Sequence, residues 1–275
     1  MRGSVSCAIV PTKIGLGDVS FAGKRCSPPR SRRNASSESS IARCEPGCGA
    51  RSRRGLKQMS GPMPPRTRLR RLRERQVEDR TALDALLDEV LVAHVGLVVD
   101  GYPLVVPTAF ARDGDQLLIH GSTGSGWMRA AAAGAAACLT VTALDGLVVA
   151  RSTFESSMRY RSAVVFGVFR RLDASARNLA LDVVTDKLLP GRRAEVRPST
   201  AQEQRRTLVL TMPIERWSLK VSDGWPDDAE DDRAGPAWAG VIPLRTAAGG
   251  PVRAPDLEEG VAVPHSVRAF VDVRA

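Results

Sequence analysis

Three Asp-Gly steps, at 100–101, 113–114 and 145–146, each stand between two apolar runs of strand length. Asp-Gly accepts positive φ at little cost, so it is the strongest short-range signal for a tight hairpin. The apolar runs His94–Val99, Leu104–Phe110, Gln116–His120, Cys138–Thr142, Leu147–Arg151, Ala163–Arg170, Thr207–Pro213 and Trp217–Val221 read as strands around these turns. Helical spacing interrupts them three times. Thr81–Val92 repeats Leu83, Leu86, Leu87, Val90 and Leu91 on one side, with Asp79 or Thr81 as N-cap. Trp127–Ala137 is alanine-rich and weakened by Gly134, and Asp173–Leu188 is the third. The expected class is mainly β with flanking helices. Its expected architecture is a small, closed antiparallel sheet, because closure removes exposed strand edges. Beyond Trp225, an acidic run from Asp227 to Asp232 and a proline-containing tail are expected to wrap the surface.

Charge narrows the function. The chain carries a net +10, but residues 1–62 hold twelve Lys/Arg against three acids, and so carry +9 of it. The remainder is close to neutral, which argues against a nucleic-acid-binding body. Residues 1–62 are rich in Ser, Arg, Gly and Pro and lack a sustained hydrophobic period. They are expected to be either a disordered basic tail or residues upstream of a true start at Met59 or Met63. Residues 63–245 form the expected domain, and 246–275 a C-terminal extension. Cys7, Cys26, Cys44 and Cys48 fall in the first segment, leaving only Cys138 for the body. A lone cysteine makes no internal disulfide, which suits a reducing, cytoplasmic setting. Cys44 and Cys48 lack a second ligand pair at zinc-site spacing, so no metal site is expected. No apolar run reaches the roughly 18 residues of a membrane-spanning helix.

Two stretches carry chemistry. His120-Gly121-Ser122-Thr123-Gly124-Ser125-Gly126 joins a strand to the alanine-rich helix, where small residues and free N–H groups suit a phosphate. It is neither a P-loop nor a dinucleotide fingerprint, and a Gly/Ser turn of this kind is ordinarily just a turn. Arg161 with Ser162, before the run Ala163–Arg170, is a second candidate phosphate partner. Read alone, it is a surface arginine at a strand entry.

The order of the pieces is more informative. Helix, strand, P-L-V-V-P-T-A-F, D-G-D-Q-L-L-I-H-G-S-T-G-S, alanine-rich helix, C-L-T-V-T and Y-R-S-A-V-V-F-G follow in turn. This succession resembles the pyridoxamine 5′-phosphate oxidase-like, FMN-binding split-barrel family, in its flavin-nucleotide-binding and nitroimidazole-reductase-like branch. The resemblance runs over about 75–245 and implies a six-stranded antiparallel split β-barrel that dimerises around its flavin. It makes Val106, Pro107 and Thr108 neighbours of the isoalloxazine ring, and brings His120 and Gly121 towards the ribityl phosphate. Where the oxidases place an Arg-Lys pair on that phosphate, this chain has Gly126-Trp127. Ser122, Ser125, nearby N–H groups and Arg129 are the expected replacements, with Arg161 and Ser162 retained. The Arg-rich C-terminal pattern of the true oxidases is missing, so the resemblance does not extend to vitamin B6 oxidation.

The implied function is an FMN-dependent oxidoreductase, a homodimer, reducing a small organic acceptor. Two alternatives stay open. One is a non-enzymatic flavin or haem binder, with His120 as flavin contact or axial haem ligand. The other is a reductase using the deazaflavin F420. His94 and His265 read as structural.

Overall fold

The structure, a computed structural model, describes residues 67–69 and 71–275. The reading of residues 1–62 lies outside the described residues. Among the described residues ten strands form one antiparallel sheet: β1 (Gln76–Val77), β2 (Val92–Val99), β3 (Tyr102–Asp113), β4 (Gln116–Ser122), β5 (Ala136–Val149), β6 (Ser157–Val168), β7 (Arg170–Arg171), β8 (Thr207–Pro213), β9 (Arg216–Ser222) and β10 (Gly240–Pro243). Their order is β1-β9-β6-β5-β2-β3-β4-β8-β7, with β10 added to β5. Among the described residues six α-helices flank it: α1 (Arg80–Glu89), α2 (Gly126–Ala132), α3 (Ala174–Leu188), α4 (Ala201–Arg206), α5 (Glu230–Arg233) and α6 (His265–Arg274). The expected class, mainly β with flanking helices, is the one found. The sheet has more strands than the six expected and does not close, since its end strands β1 and β7 do not pair.

Local chemistry explains the first hairpins. Asp100 and Gly101 both take positive φ (51° and 83°), which joins β2 to β3 in register from Val99↔Tyr102 onwards. Gly114, at φ 53°, turns β3 into β4. The third Asp-Gly step is a correction. β5 runs unbroken through Asp145-Gly146, which forms an irregularity in its ladder with β6. Glycine is needed there for space rather than for turning: a Cβ on Gly146 would lie 2.9 Å from the Ile242 carbonyl oxygen of β10. The expected Cys138–Thr142 and Leu147–Arg151 strands are therefore one strand. The alanine-rich helix also stops early, at Ala132. Gly134 takes φ 91°, and the alanines from Ala136 enter β5.

The core divides in two. Ala93, Val95, Leu97, Leu139, Val141, Ala163, Val165 and Leu219 point from one face of the sheet onto Leu83, Leu86 and Leu87 of α1 and Met128 and Ala131 of α2. Asp79 caps α1 by accepting the Thr81 N–H, so its leucine stripe starts in the expected register. A smaller cluster, Ala111, Leu118 and Val209, packs against Ala180 and Val184 of α3 on the opposite face of β3, β4 and β8. The tail after Trp225 is more ordered than a surface wrap. Buried Asp228 accepts from the Arg151 N–H and guanidinium, β10 pairs with β5, and Ser266 of α6 donates to Glu195.

Candidate functional site

β3 changes partners along its length. Tyr102–Ala109 pair with β2, while Phe110–Asp113 pair with β4. Beyond the Phe110↔Ile119 pair the two strands part, so the β4-side edge of 102–109 has no strand partner among the described residues. Pro103 and Pro107, which lack an N–H, are compatible with such an edge. Across the opening, His120, Gly121 and Ser122 are held only by β8, in register with Val209, Leu208 and Thr207.

The turn after β4 is built by its own small residues. The Ser122 hydroxyl accepts the Gly124 N–H at 3.1 Å, and the Ser125 N–H donates to the Ser122 carbonyl at 3.0 Å. The Thr123 N–H donates to the Arg206 carbonyl at 3.0 Å. Arg129 donates to the carbonyls of Gly124 (2.8 Å) and Thr123 (3.4 Å), so it braces the turn from behind. The Ser125 hydroxyl makes no cap bond to α2. A Cβ on Gly126 would meet nothing within 4 Å, and one on Gly124 only the Ser122 hydroxyl. Gly121 is closer-packed, with Met128 Cγ 3.1 Å from its Cβ position. The turn is therefore floored by Met128 and open above Gly124 and Gly126.

His120 is half-buried at the junction of split and turn, and its Nδ1 is sealed from solvent without a hydrogen-bond partner. Desolvation lowers its pKa, so the ring is neutral at neutral pH. Among the described residues, Arg151 Nε and Arg177 Nε are likewise buried without a hydrogen-bond partner. An orphaned polar atom of this kind marks a place where a ligand or water completes the structure.

The other expected residues separate. Val106 and Thr108 are half-buried on the core side of β3, in register with Val95 and Ala93, and the Thr108 hydroxyl bonds to the adjacent Ala109 carbonyl. Pro107 is exposed on the opposite, outer face. Arg161 lies on the same side of the sheet as buried Ala163 and is bound by two carboxylates, Asp145 (2.9 and 2.7 Å) and Glu89 at the end of α1 (2.6 and 2.9 Å). Ser162 points the other way, within 3.2 Å of the Thr142 hydroxyl. Extending the β2–β5 register two residues past the His94↔Thr140 pair sets Ser162, Thr142, Val92 and Ala109 in one row across β6, β5, β2 and β3. Three strand spacings, roughly 14 Å, thus part Ser162 from the split. The structure brings together His120, Gly121, Ser122, Ser125 and Arg129 around the turn, keeps Val106, Pro107 and Thr108 on the free-edged strand across the split, and leaves Arg161 and Ser162 outside that group.

Two features escaped the sequence. Arg205 and Arg206 end α4 beside the turn, and both are exposed cations. They are more than eighty residues from Thr123 in sequence, so only the β4–β8 pairing reveals them. The second is the outer sheet face. Its next row is Val164, Thr140, His94 and Pro107, and the one after is Phe166, Cys138, Gly96 and Val105. His94 is exposed there, with Val92, Val98 and Val105 at 48%, 59% and 64% of full exposure. Expected to be structural, His94 makes no described hydrogen bond.

Comparison with known proteins agrees with this architecture. The sequence model described as pyridoxamine 5′-phosphate oxidase matches residues 79–221. Among solved structures, an FAD and haem binding protein from Mycobacterium smegmatis is 53% identical, with TM-score 0.70 over 72% of this chain and 97% of that one. The flavocytochrome Anf3 from Azotobacter vinelandii is 36% identical, with TM-score 0.71 over 74% of this chain and 96% of that one. No curated protein sequence matches. With more than half of its length matched by the family model and an antiparallel sheet that splits between β3 and β4, the chain belongs to the pyridoxamine 5′-phosphate oxidase family.

Proposed function

We propose that the split between β3 and β4 holds a flavin nucleotide, and that the chain is a flavin-dependent oxidoreductase acting on a small organic acceptor. The observation that carries this reading is the unpaired edge of 102–109 facing the open His120–Gly126 turn, with the unpartnered His120 Nδ1 between them. The free edge offers unpaired C=O groups, and N–H groups except at Pro103 and Pro107, to the donors and acceptors on the polar rim of an isoalloxazine. Ser122, Ser125 and the backbone above Gly124 and Gly126 would receive the phosphate, with Arg206 supplying charge from α4. A bound flavin supplies hydride or single-electron transfer; the protein supplies orientation and electrostatics. In that role His120, kept neutral by burial, donates or accepts a hydrogen bond without adding charge.

One relative is named for FAD and haem, and the other as a flavocytochrome. Both names support a flavin here, and they favour haem as a second cofactor of the same domain. The test is titration of the purified full chain with FMN and with FAD, followed by flavin fluorescence and the visible band. Saturable quenching at micromolar flavin, weakened in His120→Ala and Arg206→Ala, is the expected result. Absence of binding by the wild-type protein at that concentration would end the proposal.

A further inference from the structure

We infer that His94 is the axial ligand of a haem seated on the outer face of the sheet, one strand away from the split. This rests on the proposal that the domain holds a second cofactor, and it assigns that cofactor a place and a ligand. Haem presents a flat apolar disc, an iron that takes a neutral imidazole along its normal, and two carboxylates on one rim. The outer face answers each of these.

Side chains stand roughly perpendicular to a sheet, so an imidazole at the centre of a face points along the normal of a disc laid over it. His94 has that position: β3 and β5 flank it with Pro107 and Thr140, and Val92 and Gly96 precede and follow it on its own face. The neighbours are short. Gly96 has no side chain, and a Cβ there would lie 3.0 Å from Cys138 Sγ, so glycine keeps the floor low beside the imidazole. Val98 and Val105 add exposed apolar surface on the same side as Phe166 and Cys138. Four strands by three rows make a platform roughly 14 Å on a side, the scale of a porphyrin. An exposed apolar patch of this size on a sheet calls for a partner.

The opposite rim is polar. The row beyond His94 runs Lys220, Ser162, Thr142 and Val92, giving a cation and two hydroxyls for the haem carboxylates. The Lys220 ammonium lies 5.4 Å from the Tyr160 ring centroid and stays at the surface. No Cys-x-x-Cys-His occurs in the chain, so the haem is held without thioether bonds.

The other two histidines fit less well. His265 opens α6, away from any strand of this face. His120 has its Nδ1 buried without a hydrogen-bond partner and occupies the mouth of the split proposed for the flavin. A ring there that also took haem would place both cofactors in one opening. With His94, the two sites sit on adjacent strands, since Pro107 of the free-edged β3 is His94's register partner.

The experiment uses the full chain, freed of cofactors and titrated with haemin while absorbance, light scattering and flavin fluorescence are followed. The wild-type protein and His120→Ala are expected to give the sharpened, shifted Soret band of an imidazole-ligated haem. His94→Ala is expected to lose that shift, keep its far-ultraviolet dichroism, and recover the shift when free imidazole is added. A Soret shift that survives in His94→Ala, or disappears in His120→Ala instead, would overturn the assignment. Flavin binding by wild-type protein without any haemin uptake would overturn it while leaving the flavin proposal standing. Haemin uptake without flavin binding would do the reverse. A wild-type dimer that Val105→Asp dissociates, with no haemin bound, would show that a second copy of this chain covers the face, and would also overturn it.

Discussion

Arg161 shows how a single residue can satisfy a motif and serve another end. Its guanidinium makes four charge-assisted bonds, two to Asp145 on its neighbouring strand and two to Glu89, the last residue of α1. Those hydrogen bonds raise its pKa well above the ordinary arginine range and hold it charged at every accessible pH. It is therefore the clasp between the end of α1 and β5–β6. At 30% side-chain exposure the pairs are partly screened, so Arg161→Met is expected to cost about 1–2 kcal/mol of stability. The same variant is expected to leave flavin affinity unchanged. Chemical denaturation together with flavin titration checks both, and a large loss of flavin affinity at unchanged stability would return Arg161 to the phosphate.

At the scale of elements, the added strand β10 explains why Gly146 is glycine. Gly146 pairs with Pro243 in the β5–β10 ladder, and the backbone of Ile242 approaches it too closely for a side chain. Gly146→Ala must push β10 away or bend β5, since the obstructing atom is a carbonyl oxygen and not the end of a flexible chain. Overpacking of this kind is expected to cost about 1–3 kcal/mol. The cost is measurable by urea unfolding, with Trp238, which packs over Gly240, as a local fluorescence probe. The β3–β4 hairpin carries the opposite lesson. A regular turn at Gly114 starts a ladder of only four register pairs, and the strands then diverge, so the same hairpin that ties the sheet together also opens the split.

Across the whole molecule, Lys187 ties together parts distant in sequence. From α3 its ammonium donates to the Leu87 carbonyl of α1 and lies 3.5 Å from the Phe110 ring centroid of β3. Burial lowers its pKa to about 8, with Arg112 and Arg274 adding to the fall and Asp88 opposing it. Between about 8 and the unfolded value of 10.5 the unfolded chain binds the proton and the native one does not. Stability conferred by this group therefore rises with pH across that window and is lowest below it, where both states carry the charge. Lys187→Met is expected to remove that rise, seen as a flatter midpoint-against-pH curve by thermal unfolding from pH 7.5 to 10.5.

Some of this was written in local chemistry. Asp100-Gly101 and Gly114 turn where the sequence says they should, because positive φ is a property of a residue and its immediate neighbours. The α1 leucine stripe and its Asp79 cap are legible for the same reason. So is the family, because the order of short motifs along the chain survives even where each is ambiguous. What depends on distant pairing was not legible. Asp145-Gly146 has the composition of a turn, yet β10, nearly a hundred residues on, pairs across it and holds it in a strand. Arg161 and Ser162 look like one site in sequence, but the two-residue period of a strand sends them to opposite faces. His94 looks like one more strand residue until the registers of β6, β5, β2 and β3 set it among exposed apolar side chains, one strand from the free edge. Local conformation follows from short-range sterics and hydrogen bonding. Which side chains share a surface follows from strand register, and that is settled only when the whole sheet assembles.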